Sequence, residues 1–151
     1  MKTNSIRIRQ ASAADVDLVA PLFDAYRQFY RQRSDIECAR RFLFDRLNNG
    51  QSVILLAFDE SGVVGFTQLY PSFSSAAMAR IFILNDLFVA PEARGRGAGS
   101  ALLRAAADYG KSAGAIRLML STELTNTTAQ SVYESNGWER DAVFCVYRLA
   151  L

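Results

Sequence analysis

Runs of alternating or continuous apolar residues predict the strands of this chain. Ile6 and Ile8 alternate with arginines, which is the two-residue period of a half-exposed strand. Val53–Phe58 is apolar without interruption, as in a strand buried on both faces, and a polar hairpin loop follows it. Pro71–Ala79 has little periodicity and is interpreted as a loop. The predicted strands are Ser5–Gln10, Val53–Phe58, Val63–Tyr70, Arg80–Val89, Ile116–Ser121 and Ala142–Leu149.

Apolar residues three and four positions apart predict helices between these strands. Ser12 and Asp15 form a capping-box pattern at the start of the first helix. Pro21 lies inside this helix and predicts a kink or a restart, because proline lacks the N–H that would bond to the carbonyl of Asp17. A second helix follows Ser34, a third runs from Gly97 to about Ala113, and a fourth spans about Thr127–Ser135.

The order of these elements, β α α β β β α β α β, defines the expected fold class. Strands joined by short loops are expected to pair antiparallel, and one parallel pair is expected across the helix that follows the glycine-rich turn. The order therefore predicts a single α/β domain over residues 1–151, with a mixed, mostly antiparallel sheet of six to seven strands flanked by about four helices.

Composition narrows the classes of function. The 151 residues carry a net charge of +2, which is too small to indicate binding to nucleic acid or to an anionic membrane. The chain has no histidine, so His-dependent catalytic triads and His-ligated metal sites are excluded, and no metal is expected. The N-terminus has no apolar signal region, so a cytoplasmic protein is expected. Cys38 and Cys145 follow no metal-binding spacing and are expected to be buried as small apolar residues.

The stretch Leu84–Leu103 predicts an anion site. An apolar strand ends at Pro91, glycines follow at every second position, and helical spacing begins at Ala98. Such a turn presents backbone N–H groups at the positive end of a helix, an arrangement that suits phosphate. The Walker pattern is excluded because it requires a lysine, and the dinucleotide pattern fails at Ser100. A plain glycine-rich turn with solvated arginines is the alternative.

The turn also resembles a known family signature. Arg94, Gly97 and Gly99 form the pattern R-x-x-G-x-G, which resembles the signature of the GCN5-related N-acetyltransferase (GNAT) superfamily. A second motif of that superfamily, N-x-x-A-x-x-x-Y-x-x-x-G-[FW], is matched at every named position. The matching residues are Asn126, Ala129, Tyr133, Gly137 and Trp138. The resemblance covers about 80–149 with specific motifs and residues 1–79 in element order alone, and it is nearest to small bacterial proteins labelled histone-acetyltransferase-like.

The resemblance implies a site for acetyl-coenzyme A as co-substrate. Backbone groups of Leu87, Phe88 and Val89 would meet the pantetheine arm and the acetyl carbonyl, and Asn126 would touch the coenzyme or act as a helix cap. Tyr133 would be the general acid at the coenzyme sulfur, with a packed core aromatic as the alternative. The pyrophosphate would lie on the turn formed by Arg94, Gly95, Arg96, Gly97, Ala98, Gly99 and Ser100.

The sequence leaves three hypotheses for the identity of the general base. Asp86 is a carboxylate on an otherwise apolar strand, so it is either a base or a partner of a neighbouring backbone group or an arginine. Glu123 is either a second candidate base or an exposed loop residue, and a water relay without a dedicated base is the third reading. Relatives that acetylate diamines carry Glu-Asp where this chain has Asn85-Asp86, which counts against polyamine specificity.

The resemblance implies an N-acetyltransferase that acts on a primary amine, either a small metabolite or a protein lysine. The acceptor would enter over the first two helices and the loop at 71–79. A coenzyme-binding sensor without turnover is the alternative function, and a homodimer is expected at the level of the family. The acceptor residues proposed on this basis are Tyr26, Tyr30, Asp35 and Glu37, and packing in the core is the alternative for the two tyrosines because they lie at helical spacing.

Overall fold

The computed structural model describes residues 5–151, which fall into two compact units that divide after Ser121. The prediction that no signal peptide is present rests partly on residues 1–4, which lie outside the described residues. The first unit contains β1 (Arg7–Gln10), α1 (Val16–Phe29), α2 (Ile36–Asn48), β2 (Val53–Asp59), β3 (Gly62–Ser74), β4 (Ala79–Val89), α3 (Ala98–Ser112) and β5 (Leu118–Met119), and the second contains α4 (Thr127–Ser135).

The sheet confirms the α/β class and its mixed pairing. Its strands lie in the order β1-β2-β3-β4-β5, all antiparallel except for the parallel pair β4–β5, which is the pair joined through α3. Four α-helices are present in the described residues, as expected, but the sheet has five strands rather than six to seven.

The predicted strand at Ala142–Leu149 is not formed. This segment belongs to the second unit, and its apolar side chains, among them Val143 and Tyr147, are exposed. Asp141 Oδ1 accepts from the N–H groups of Val143 and Phe144 at 2.8 and 2.9 Å, which forms a local turn. A strand requires a neighbour to hydrogen-bond its backbone, and no ladder includes any of these residues.

The predicted loop at Pro71–Ala79 is mostly strand. β3 continues through Pro71, which pairs with Phe82, and the turn between β3 and β4 is confined to residues 75–78. The pairing of β3 with β2 ends at Leu69, so the rest of β3 has one open edge. Proline is tolerated in a strand with an open edge, because its missing N–H removes no ladder bond there.

Two further expectations are corrected. Cys38 and Cys145 are exposed free thiols rather than buried apolar residues. Of the kink or restart predicted at Pro21, the restart is wrong, since α1 runs through Pro21, and a 3-10 turn at Ala13–Asp15 precedes the helix. The start itself is as expected, since Asp15 accepts from the N–H of Ser12 at 2.8 Å.

One face of the sheet packs against α1 and α2. Aliphatic and aromatic side chains fill this layer, and the exposed fraction of every member is below a tenth. The core here includes Val19, Phe23, Leu43, Ile54, Leu56, Phe66 and Phe88. Gly65 faces the other side, where a Cβ atom would lie 2.8 Å from the carbonyl oxygen of Phe88 and 3.4 Å from the side chain of Leu102 in α3. In residues 5–151, no helix combines the length and apolarity needed to cross a bilayer.

Candidate active site

The glycine-rich turn leads directly into α3. Gly95 and Gly97 have φ angles of 76° and 86°, a left-handed conformation that glycine adopts without strain. Gly97 is the residue before the first helical position, Ala98, and its carbonyl accepts from the N–H of Ala101 at 3.0 Å. The first backbone N–H groups of a helix have no acceptor within the helix, so this end presents donors and a positive dipole.

Gly99 differs from its two neighbours because the fold does not require a glycine there. It lies in the first turn of α3 without a positive φ, and a Cβ atom built on it would meet nothing within 4 Å. Alanine is favoured over glycine in helix interiors by about 1 kcal/mol. The open space above this residue fits the close approach of a ligand phosphate, which is the group that the coenzyme would bring.

The two arginines of the turn make local contacts. Arg94 Nε donates to the carbonyl of Val89 at 2.9 Å, and its guanidinium lies 5.5 Å from the centre of the Phe88 ring. Arg96 lies 3.8 Å from Asp59 Oδ2 and is half exposed. Arg94 therefore ties the turn to the end of β4, so that the strand end and the start of α3 keep a fixed relation.

β4 offers an open edge next to this turn. Its parallel ladder with β5 has two pairs, Phe82–Leu118 and Ile83–Met119. The pairing with β3 shifts between Gln68 and Leu69, which leaves Asn85 as an unpaired bulge residue. From there to Val89, β4 pairs with β3 but not with β5 within residues 5–151. Apart from the Val89 carbonyl, which Arg94 already bonds, the backbone groups on the β5 side can therefore pair with an extended ligand.

A buried polar row crosses the sheet at the level of this bulge. Asp86 is 2% exposed, and its two carboxylate oxygens accept from Gln68 Nε2 and, at 2.9 Å, from Asn85 Nδ2. The fully buried Gln68 accepts in turn from Ser52 Oγ at 2.7 Å, which fixes the orientation of its amide. The carboxylate is thus held in one orientation by uncharged donors, and within residues 5–151 no salt bridge involves it.

Burial raises the pKa of Asp86 above its ordinary value, and the hydrogen bonds from Gln68, Asn85 and Tyr26 oppose this rise in part. Burial also raises the pKa of Tyr70, to which the nearby charge of Asp86 adds. A carboxyl group with a raised pKa has the property that a general base needs, because its affinity for a proton approaches that of its donor.

Asp86 lies at a cavity of about 370 Å³ between the α1–α2 pair and the sheet. The phenyl rings of Phe23 and Phe42 stack there with their centres 5.8 Å apart, and the Tyr26 hydroxyl donates to the carbonyl of Asn85 at 3.2 Å. The volume suits a small molecule. The cavity is lined by Phe23, Tyr26, Arg27, Cys38, Ala39, Phe42, Tyr70, Asn85 and Asp86.

The second unit carries the remaining candidates. Asn126 caps α4, since its Oδ1 accepts from the N–H of Ala129 at 3.1 Å. Tyr133 is half-buried on α4, and its ring centre lies 6.2 Å from that of Trp138. The side chain of Glu123 is exposed, and its backbone carbonyl accepts from the N–H of Asn126 at 3.0 Å. The motif thus forms a capped helix whose tyrosine packs on the following tryptophan.

The structure brings together some of the predicted acceptor residues. Tyr26 lines the cavity, whereas Tyr30 packs on Tyr26 at 5.0 Å between ring centres, Asp35 caps α2 and Glu37 pairs with Arg40. Sequence reasoning missed six lining residues, although five of them lie on α1 and α2 at the three- and four-residue spacing that indicates a shared face. The missed residues are Phe23, Arg27, Cys38, Ala39 and Phe42, and Tyr70 on β3.

Comparison with known proteins gives the family. The sequence model of the acetyltransferase (GNAT) family matches residues 19–138. The Bacillus subtilis (strain 168) protein "Uncharacterized N-acetyltransferase YhfO" is 54% identical over 144 residues, which cover 95% of this chain and 97% of that protein. A crystal structure of a probable acetyltransferase is 44% identical with a TM-score of 0.91, and the match covers 96% of this chain and 97% of that one.

A more distant structure shows the same fold. An aminoglycoside N-acetyltransferase in complex with CoA gives a TM-score of 0.81 at 19% identity, over 97% of this chain and 96% of that one. Members of the matched family generally use acetyl-coenzyme A. Since the family model spans most of the sequence and a close relative spans nearly all of it, this chain belongs to the acetyltransferase (GNAT) family of enzymes.

Proposed function

We propose that this protein transfers the acetyl group of acetyl-coenzyme A to a primary amine by direct attack in a ternary complex. The observation that carries the proposal is Asp86, a buried carboxylate at a small cavity whose bonds are to uncharged donors, on the strand that runs into the glycine-rich turn. The acceptor is a small-molecule amine or a protein lysine. Bound acetyl-coenzyme A supplies an already activated acetyl thioester, so the chain has to position the amine and manage two protons.

In this proposal each group has one role. Asp86 takes the proton of the acceptor ammonium, directly or through a water, and its raised pKa favours that transfer. The backbone N–H groups of residues 87–89 stabilise negative charge on the acetyl oxygen. The turn at 94–100 binds the pyrophosphate. Glu123 is the second candidate base, and Asn126 and Tyr133 contact the coenzyme on the strength of the motif they complete.

Acetyl-coenzyme A is expected to raise the melting temperature of the protein in a saturable manner. A ligand that binds the folded state alone adds about 2.7 kcal/mol of stability at a hundredfold excess over its Kd. Thermal unfolding should be followed over a range of acetyl-coenzyme A concentrations. Desulfo-coenzyme A, which keeps the phosphates, tests the contribution of the acetyl thioester, and adenosine, which lacks the phosphates, tests theirs. Release of free thiol should then be measured over a panel of amines. No shift in a folded protein would refute the coenzyme site, and binding without turnover on any amine would favour the sensor alternative.

Replacing Tyr133 with phenylalanine is expected to lower kcat by about 10²-fold, the lower end of the range for general acid catalysis, with little change in the Kd of acetyl-coenzyme A. The reason is that the leaving thiolate loses its proton donor, while the ring and its contact with Trp138 are kept. Tyr147→Phe is the matched control, because Tyr147 is fully exposed in the same unit. An unaltered kcat in the Tyr133 variant would remove it as the acid.

Three broader expectations belong to the same proposal. The two units act as one acetyltransferase domain, the protein works in the cytoplasm, and it forms a homodimer. Sedimentation of the purified chain at several concentrations tests the last of these.

A further inference from the structure

The two charged side chains that line the cavity differ in how deeply they are buried. Among the described residues that line it, Asp86 carries a carboxylate and Arg27 a guanidinium, and the other lining side chains are uncharged in their ordinary forms. Asp86 is 2% exposed, whereas the Arg27 side chain is 30% exposed. An acceptor that places its ammonium at Asp86 therefore shares the cavity with a positive charge that lies nearer to solvent.

Arg27 is held at this position by its own contacts. Its Nη1 donates to the carbonyl of Arg33 at 3.0 Å and lies 3.7 Å from Asp24 Oδ1. Asp24 does not line the cavity, and its oxygens also accept from Ser34 Oγ, Gln28 Nε2 and the N–H of Asp35. The carboxylate that partly offsets Arg27 is thus held by groups of the α1–α2 connection and lies outside the cavity lining, whereas Arg27 is part of that lining.

A second arginine lies on an aromatic wall of the cavity without lining it. The guanidinium of Arg46 lies 4.9 Å from the centre of the Phe42 ring, and Phe23 stacks on that ring at 5.8 Å. A ring that already holds a guanidinium attracts a second ligand cation less. Of the two charges that line the cavity, the more exposed one is thus positive and the buried one is negative.

We infer that the acceptor is a compact amine with a single ammonium group, an apolar body and a neutral or anionic far end, so that diamines and aminoglycosides are disfavoured. The inference rests on the proposed function and names its substrate class. Arg27 is the residue that sets the preference, through charge at the far end of the acceptor rather than through the chemistry at Asp86.

Three amines of equal chain length test this inference. Hexylamine, ε-aminocaproate and hexamethylenediamine differ in the group at the far end, which is neutral, anionic or cationic. We expect kcat/KM for acetylation to be highest for the amino acid and lowest for the diamine, with about a tenfold difference, as for unit charges a few Å apart near a protein surface. An equal or higher kcat/KM for the diamine would overturn the inference.

Arg27→Gln is expected to reduce the ratio of kcat/KM between ε-aminocaproate and hexamethylenediamine about fivefold or more, and to change hexylamine much less. Arg33→Gln is the matched control, because it removes the same charge from an exposed residue that does not line the cavity. An unchanged ratio in Arg27→Gln, or an equal drop in Arg33→Gln, would overturn the assignment to Arg27.

The two levels of failure are separable. If acetyl-coenzyme A does not raise the melting temperature, the proposed function fails before any amine is compared. If the coenzyme binds and the diamine or an aminoglycoside such as kanamycin is the better acceptor, the enzyme class stands and the inference falls. Turnover of none of the three six-carbon amines by a protein that acetylates other amines also overturns it.

Discussion

Gly99→Glu is expected to abolish the binding of acetyl-coenzyme A and, at the same time, to make the ligand-free protein more stable. The position is in the first turn of α3 and is open, so the new side chain meets no protein atom near its Cβ. Glutamate gains helix propensity over glycine and places a negative charge at the positive end of the helix, which together are worth about 1 kcal/mol. The same side chain occupies the space of the phosphates and repels them.

The Kd of acetyl-coenzyme A should rise at least about 10²-fold, a loss of affinity of the size expected when a like charge lies within a few Å of a bound phosphate in partly dry surroundings. Isothermal calorimetry gives the Kd, and urea unfolding of the ligand-free protein gives the stability. Gly99→Gln separates bulk from charge, and Gly99→Ala tests the effect of one methyl group. Normal coenzyme affinity in the glutamate variant would show that the phosphates lie elsewhere.

Gly97 is a less informative position for the same experiment. Its φ of 86° makes any side chain there strained, so a loss of binding would not distinguish a blocked site from a distorted turn. The sequence shows three glycines of equal standing, and only the backbone conformation separates Gly97, which shapes the turn, from Gly99, which leaves space.

Local sequence patterns predicted the core elements of the first unit because the hydrophobic pattern of each element matches the faces that it buries. Val53–Phe58 is a central strand with neighbours on both sides, and α3 begins within one residue of its predicted start. In these places periodicity, turn residues and packing give the same answer. The glycine turn belongs to the same class, since its donors and its φ angles follow from local sequence alone.

The two wrong predictions of secondary structure share a different cause. Ala142–Leu149 alternates like a strand, but strand formation depends on a neighbour that the segment's own sequence does not specify. Pro71 and the serines after it resemble a loop, yet ten residue pairs of the β3–β4 ladder carry the hairpin through them to Ser74. Pairing between distant residues decided both outcomes, and one sequence read along its length contains little information about it.

The candidate site could be predicted only in part, because it too depends on contacts between residues far apart in the chain. The sequence marks Asp86 as an anomaly, a carboxylate on an apolar strand, and offers a backbone group or an arginine as its partner. Its donor Gln68 comes from β3, the Ser52 hydroxyl that orients Gln68 lies just before β2, and Arg27 reaches the cavity from α1. The chemistry of one residue is local, whereas the environment that sets its pKa is assembled from segments far apart in the chain.

Both site positions cost the fold stability, which is common where function and stability conflict. Gly99 has a lower helix propensity than alanine would have, and Asp86 is a carboxylate at a position where burial disfavours its charge. A purely structural account would replace the first by alanine and the second by an amide. Substitutions that stabilise the protein while removing its activity are therefore the strongest evidence for a functional site.

Asp86→Asn is expected to lower kcat/KM by about 10²-fold or more, because a positioned base contributes 10²- to 10⁴-fold. The amide can be accommodated without a lost hydrogen bond, since Gln68 can turn its amide over and Ser52 Oγ can accept as well as donate. Glu123→Gln is the matched control, because it makes the same change at an exposed position in the second unit. Loss of activity in the control alone would move the base to Glu123.

The pH dependence of stability separates a base from a structural carboxylate in the same variant. The folded-state pKa of Asp86 is raised above its ordinary 3.8, so its contribution to stability is fully present below pH 3.8 and is lost as the pH rises through the folded-state pKa. Asp86→Asn should therefore gain free energy of unfolding relative to the natural protein between acidic and neutral pH. At the same time, the acidic limb of its kcat/KM profile should disappear. If the variant instead keeps kcat/KM and loses stability at neutral pH, Asp86 serves to accept from Gln68 and Asn85, and the amine loses its proton by another route.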